Sequence, residues 1–331
     1  MNSELYPWQQ PQWESVHARV ANQRLTHAML LSGPGGLGKL DFARRLARAL
    51  LCESPQANAM PCGGCRACLL LEAGTHPDLI EVTPEEDARA IKVDQIRTLA
   101  AQMTLTRQYA DYKVAIIQPA DLMNRAAANS LLKTLEEPPA GALMLLVSAR
   151  PGELPATIRS RCQLLRFAAP EPDTVAEWLQ ACIEPGQDAR LLLGLASGAP
   201  LAALHLATSG ELEHRARLWE DLQGVAVGAC EPVATAAAWL KLGLEVPLNW
   251  VHGWAVDMIR LRMSPSGSHL NNPDLRPALQ ALAERVDLRR LYGLLDRAGQ
   301  GLGLAQTTVN QQLLLEEMLV YWFDAVDTQS S

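Results

Sequence analysis

The sequence lacks a basic surplus, setting 29 Lys and Arg against 36 Asp and Glu for a formal net charge of −7. A protein that binds nucleic acid unaided draws its affinity from neutralising phosphates with a basic surface. The charge argues against that class for the chain as a whole, and any DNA contact must be local or shared with other chains. Long hydrophobic runs are also missing, since no stretch approaches the roughly 20 apolar residues that span a bilayer. Met1 to Pro11 shows neither the basic nor the apolar part of a leader, so no membrane association and a cytoplasmic location are expected. Aromatic residues reach only 5%. Val and Ile are outnumbered by Leu and Ala, whose side chains lose little rotamer freedom in helices, so sheet should be the minority structure. There is no internal repeat and no low-complexity tract.

The chain does have enough apolar residues, 48% of 331, to build two or three packed units. An apolar run from Ala28 to Leu31 leads into Ser32-Gly33-Pro34-Gly35-Gly36-Leu37-Gly38-Lys39 and then an amphipathic stretch from Asp41 to Leu51, which reads as strand, glycine loop and helix. Further strand patterns fall at Leu79 to Val82, Lys113 to Ile117 and Ala142 to Ser148, the last of them taken as the final strand. Helices are predicted from Val93 to about Met103 and from Asn124 to Leu135, the second stopped by Pro138-Pro139. This alternation predicts a parallel sheet with helices on both faces. Past Phe167 the chain reads as helices: a small unit to about Thr208, then a longer segment interrupted by a loop from Ser264 to Pro273.

A phosphate-binding loop needs glycines so that backbone N–H groups can surround phosphates, a lysine for the outer phosphates, and a Ser or Thr hydroxyl for Mg²⁺. Gly33, Gly38 and Lys39 meet the first two demands, but Leu40 stands where the hydroxyl belongs. Hydrolysis also needs a carboxylate pair after a later strand. Here Lys113 to Ile117 is followed by Gln118 and Pro119, which neither coordinate metal nor take a proton. Asp121 comes later and is expected to cap the helix beginning near Asn124. The pattern is that of a retired nucleotide pocket, and nucleotide binding without turnover stays open, because Lys39 and the loop amides suit a phosphate.

Four of the seven cysteines, Cys52, Cys62, Cys65 and Cys68, are clustered in a glycine-containing, polar segment. In a reducing compartment such clustering points to metal rather than disulfides. Four thiolates suit tetrahedral Zn²⁺ in a structural role, stabilising an insertion too small for its own core. Cys162, Cys182 and Cys230 are scattered and read as core residues. Arg161 follows the Ala142–Ser148 strand. A permanently charged, planar guanidinium there can either stabilise a γ-phosphate on a neighbouring subunit or, like Arg159, make surface salt bridges.

Several segments together resemble the clamp-loader branch of the AAA+ family: His27 to Gly33, the four cysteines, Gly74-Thr75-His76-Pro77-Asp78, Leu131-Leu132-Lys133-Thr134-Leu135-Glu136-Glu137-Pro138-Pro139, and Ser160-Arg161-Cys162. The resemblance is strong over residues 5–170 and only architectural beyond. It implies an AAA+ α/β P-loop-type domain at 1–168 with a zinc-binding module at 52–68, a small helical lid at 169–208, and an all-helical collar at 209–331 through which subunits oligomerise. Leu40, Gln118 and Pro119 depart from the family's motors, and Ser197-Gly198-Ala199-Pro200-Leu201 lacks the arginine by which motors sense nucleotide. The resemblance therefore implies a non-hydrolysing subunit of a hetero-pentamer with gamma or tau motors and delta. Arg161 would act on the ATP of the adjacent motor while the assembly loads a sliding clamp onto primed DNA. The alternatives are an active AAA+ ATPase subunit and a zinc-containing DNA-binding module.

Overall fold

A computed structural model describes residues 5–56, 60–86, 88–264, 270–305 and 309–327. Parts of the expected loop from Ser264 to Pro273 and of the cysteine segment therefore lie outside the described residues. The chain divides into two compact units, Met1–Val175 and Ala176–Ser331.

In the first unit, α1 (Gln10–Ala21) precedes β1 (Ala28–Ser32), α2 (Lys39–Leu51), α3 (Arg66–Glu72) and β2 (Leu79–Val82). Then come α4 (Val93–Met103), β3 (Lys113–Ile117), α5 (Arg125–Glu136), β4 (Ala142–Ser148), the short α6 (Ala156–Arg159) and β5 (Gln163–Arg166), with α7 (Pro172–Cys182) holding the point of division. The strands form one sheet in the order β2-β3-β4-β1-β5, parallel throughout. Every residue of β1, β3 and β4 is buried, as expected where helices cover both faces and leave no side for polar alternation. Ile96, Leu99 and Met103 of α4 and Ala127, Leu131 and Leu135 of α5 close over Ala115, Ile117, Met144 and Leu146.

The sheet corrects one expectation. Ala142–Ser148 is not the final strand, because Gln163–Arg166 adds an edge strand that pairs with β1 from Met29↔Gln163 to Ser32↔Arg166. Only Leu165 of its four residues is buried, so it offers no apolar run to the eye. Arg161 consequently sits between two strands, just ahead of this edge.

The second unit is helical: α8 (Ala189–Leu195), α9 (Pro200–Thr208), α10 (Glu211–Ala226), α11 (Pro232–Leu240), α12 (Glu245–Met263), α13 (Arg276–Arg285), α14 (Leu288–Leu304) and α15 (Gln311–Asp327). Its core contains Trp219, Trp239, Trp254 and Trp322. A buried polar knot ties α10 and α12 to the segment before α13. The Asp257 carboxylate accepts from the Asn271 and Asn272 backbone N–H groups at 3.0 and 2.8 Å, and Arg215 donates to Asn272 Oδ1 and to both carboxylate oxygens of Asp274. Such satisfaction is what makes a buried charge tolerable. Among the described residues no single helix is long and apolar enough to cross a membrane.

Candidate functional site

The C-terminal ends of β1, β3 and β4 converge where parallel α/β sheets bind ligands. At the end of β1, Phe167 N donates to Ser32 O at 2.7 Å. Gly33, at φ +153°, passes so close that a Cβ would lie 2.0 Å from the Phe167 carbonyl oxygen, which restricts the position to glycine. Gly38, at φ +74°, starts α2. Lys39 is buried, and its Nζ donates to the carbonyl oxygens of Gly33, at 2.7 Å, and Pro34. Burial holds its pKa below the ordinary lysine value, opposed in part by the charge of Asp121. The ammonium is thus engaged by its own loop. The far end of the loop is held from the N-terminal side: Trp8 Nε1 donates to Leu37 O at 3.2 Å, and Gln9 Nε2 donates to Leu37 O and Gly38 O at 2.8 Å.

Leu40 is the second residue of α2, and Gln118-Pro119 directly follow β3. Asp121 does not cap α5, which corrects the sequence reading. Asn124 takes that role by accepting from Ala127 N at 2.8 Å. Asp121 sits in a 3₁₀ turn, Ala120–Leu122, where its carboxylate accepts from Ala149 N at 3.2 Å and pairs with Arg150 at 3.5 Å. It is committed to the turn after β4.

The sulfurs of Cys52, Cys62, Cys65 and Cys68 all lie within 4.8 Å of one another, with Cys52–Cys65 and Cys62–Cys68 separations of 3.9 Å. A tetrahedron with Zn–S bonds of about 2.3 Å has edges of about 3.8 Å, so the cluster has the size of a zinc site. Backbone N–H groups point at the sulfurs: Cys62 N to Cys52 Sγ and Cys65 N to Cys62 Sγ at 3.3 Å, and Cys68 N to Cys65 Sγ at 3.4 Å. The last of these makes Cys65 the N-cap of α3. Hydrogen bonds from the Gly64 and Cys65 amides bring the Cys62 thiol down to about 6, while burial pushes Cys68 up to about 12 and raises Cys52. The remaining cysteines are not all core: Cys162 is buried, Cys230 half-buried, and Cys182 exposed.

Arg161 is exposed at the end of α6. Its Nη1 donates to Thr157 O at 3.0 Å and its Nη2 pairs with Glu136 Oε1 at 2.7 Å. Sequence reading missed Glu136 and the Trp8–Gln9 clamp, which lie 25 and 29 or so positions from their partners. It also missed the work of Asp78, which is fully buried. The Asp78 carboxylate accepts from Gln108 N and Tyr109 N at 2.9 and 3.1 Å and faces Lys113 Nζ at 3.5 Å. The His76-Pro77-Asp78 motif was the only signal for it.

The first unit is thus a parallel sheet with a glycine loop after β1, and the second unit is helical. Family models described as DNA polymerase III, delta subunit, and its C-terminal part match residues 8–171 and 209–324. The DNA polymerase III subunit delta' of Pseudomonas aeruginosa is 36% identical over 97% of this chain and 98% of its own. The Escherichia coli subunit of the same name is 32% identical over 95% and 94%. Escherichia coli DNA polymerase III subunit tau is 38% identical over 47% of this chain and 24% of its own. The chain belongs to the DNA polymerase III subunit delta' family, whose members are components of the clamp loader.

Proposed function

We propose that this chain hydrolyses no ATP and serves as a comparatively rigid member of a hetero-pentamer with gamma or tau motor subunits and delta, acting in the loading of a sliding clamp onto primed DNA. The observation that carries the reading is the pocket's chemistry. Leu40 offers no oxygen to Mg²⁺, Gln118-Pro119 offers no base, Asp121 is held by Ala149 and Arg150, and Lys39 is turned onto its own loop. Phosphoryl transfer depends on a held metal ion and a group that positions the nucleophile, and Leu40, Gln118 and Pro119 supply neither. The chain's contribution to chemistry is then Arg161, exposed beside the β5 edge, inserting its guanidinium at the γ-phosphate of the adjacent motor subunit. The four cysteines hold a structural Zn²⁺ that fixes the 52–68 excursion. Residues 169–208 act as a lid and 209–331 as the collar that joins the subunits.

The test is Arg161→Ala in the reconstituted loader. Assembly should be intact, while DNA-stimulated ATPase and clamp loading fall. A finger contributes about 10³-fold or more where it completes a site. The drop across the whole complex is smaller, because only the adjacent site loses its arginine. Unchanged loading would remove the assignment.

A further inference from the structure

Arg161 does not project freely. Both terminal nitrogens of its guanidinium are held within its own unit, Nη1 by the Thr157 carbonyl and Nη2 by Glu136 at 2.7 Å. Thr157 belongs to α6, which ends two residues before Arg161, whereas Glu136 is the last residue of α5. The ion pair therefore ties the arginine to a helix of the body and not merely to its own turn. Stability gives little reason for a glutamate there. A carboxylate at the C-terminal end of a helix faces the negative end of the macrodipole, and an ion pair whose side chains are 37% and 50% exposed adds little in water. What the pair does fix is the direction of the one cation expected to leave the subunit.

We propose that Glu136 is a positioning residue, a latch in cis that holds the Arg161 guanidinium until the more highly charged triphosphate of the adjacent subunit's ATP displaces the carboxylate. The inference rests on Arg161 being the finger. No covalent bond changes: one ion pair is exchanged for another, and Glu136 is left facing solvent. Because the latch must open before the finger acts, it raises the ATP concentration needed, by about 2- to 5-fold for an exposed pair.

The experiment titrates ATP in clamp loading by the reconstituted complex carrying the parent chain, Glu136→Gln, Arg161→Ala, or both. Glu136→Gln keeps the shape and removes the charge. It should lower the half-saturating ATP concentration about 2- to 5-fold and leave the maximal rate unchanged. On the Arg161→Ala background the same substitution should shift nothing, a non-additivity that a merely structural glutamate would not produce. Half-saturating ATP that is unchanged or raised in Glu136→Gln, alongside a clear Arg161→Ala defect, overturns the latch and spares the finger. Parent-like loading by Arg161→Ala overturns both.

Discussion

Exchanging Cys65 for serine takes one sulfur out of the cluster while leaving the start of α3 capped, because a serine hydroxyl can accept the Cys68 N–H that Cys65 Sγ now accepts at 3.4 Å. The perturbation thus separates metal binding from helix capping. Structural Zn²⁺ sites of this kind are worth about 10–16 kcal/mol near neutral pH. Shared over four sulfurs of similar geometry, that places about 2.5–4 kcal/mol on each, or about 10²- to 10³-fold in affinity. The parent chain should carry one zinc per molecule through dialysis against a chelator, and the Cys65→Ser chain should lose it. A competition titration should place the affinities two to three decades apart, in line with about 10²- to 10³-fold. Zinc should raise the melting temperature of the parent by more than that of the variant, since only binding to the folded state stabilises it. One equivalent of zinc retained by Cys65→Ser at the parent's chelator concentration would refute the four-sulfur site.

Two further tests address the body that carries these sites. Asp78→Asn leaves the Lys113 ammonium buried without its counter-charge and should destabilise the first unit by about 3–5 kcal/mol. At about 2–4 °C per kcal/mol for a unit of this size, the melting temperature falls by about 6–20 °C; a loss under about 1 kcal/mol would contradict the buried Asp78–Lys113 pair. His76 is buried, its Nδ1 accepts the Asp78 N–H at 3.1 Å, and burial holds its pKa below 6.5. The unfolded chain therefore takes up a proton near pH 6.5 that the folded chain refuses. Stability should be full above about pH 7 and fall as pH drops through 6.5, levelling off below the folded-state value. His252, also lowered by burial, adds to the slope. Melts from pH 8 to 5 should show a shallower dependence in His76→Asn than in the parent, and equal slopes would contradict the assignment.

The central strands were legible because burial on both faces demands unbroken apolar runs, and β1, β3 and β4 have them. β5 was not, because an edge strand of Gln-Leu-Leu-Arg looks like any short loop segment. The glycine loop before α2 and the clustering of the four cysteines were legible because each is a local pattern of residue types. Partnerships across the chain were not. Nothing in the spacing shows that Glu136 meets Arg161, that Gln9 reaches the carbonyls of Leu37 and Gly38, or that Asp78 collects the amides of Gln108 and Tyr109. Asp121 illustrates the same limit. Its position just ahead of α5 suggested a cap, yet the loop after β4 offered it an amide and a guanidinium, and Asn124 lay closer to the helix.

The claim on which the functional reading turns is that this pocket runs no phosphoryl transfer. It is tested most directly by measuring ATP turnover in the purified chain with Mg²⁺, free of motor subunits, with and without primed DNA. No turnover above the protein-free background is predicted at any magnesium concentration. Metal-dependent hydrolysis at a rate comparable to that of a motor subunit would contradict it.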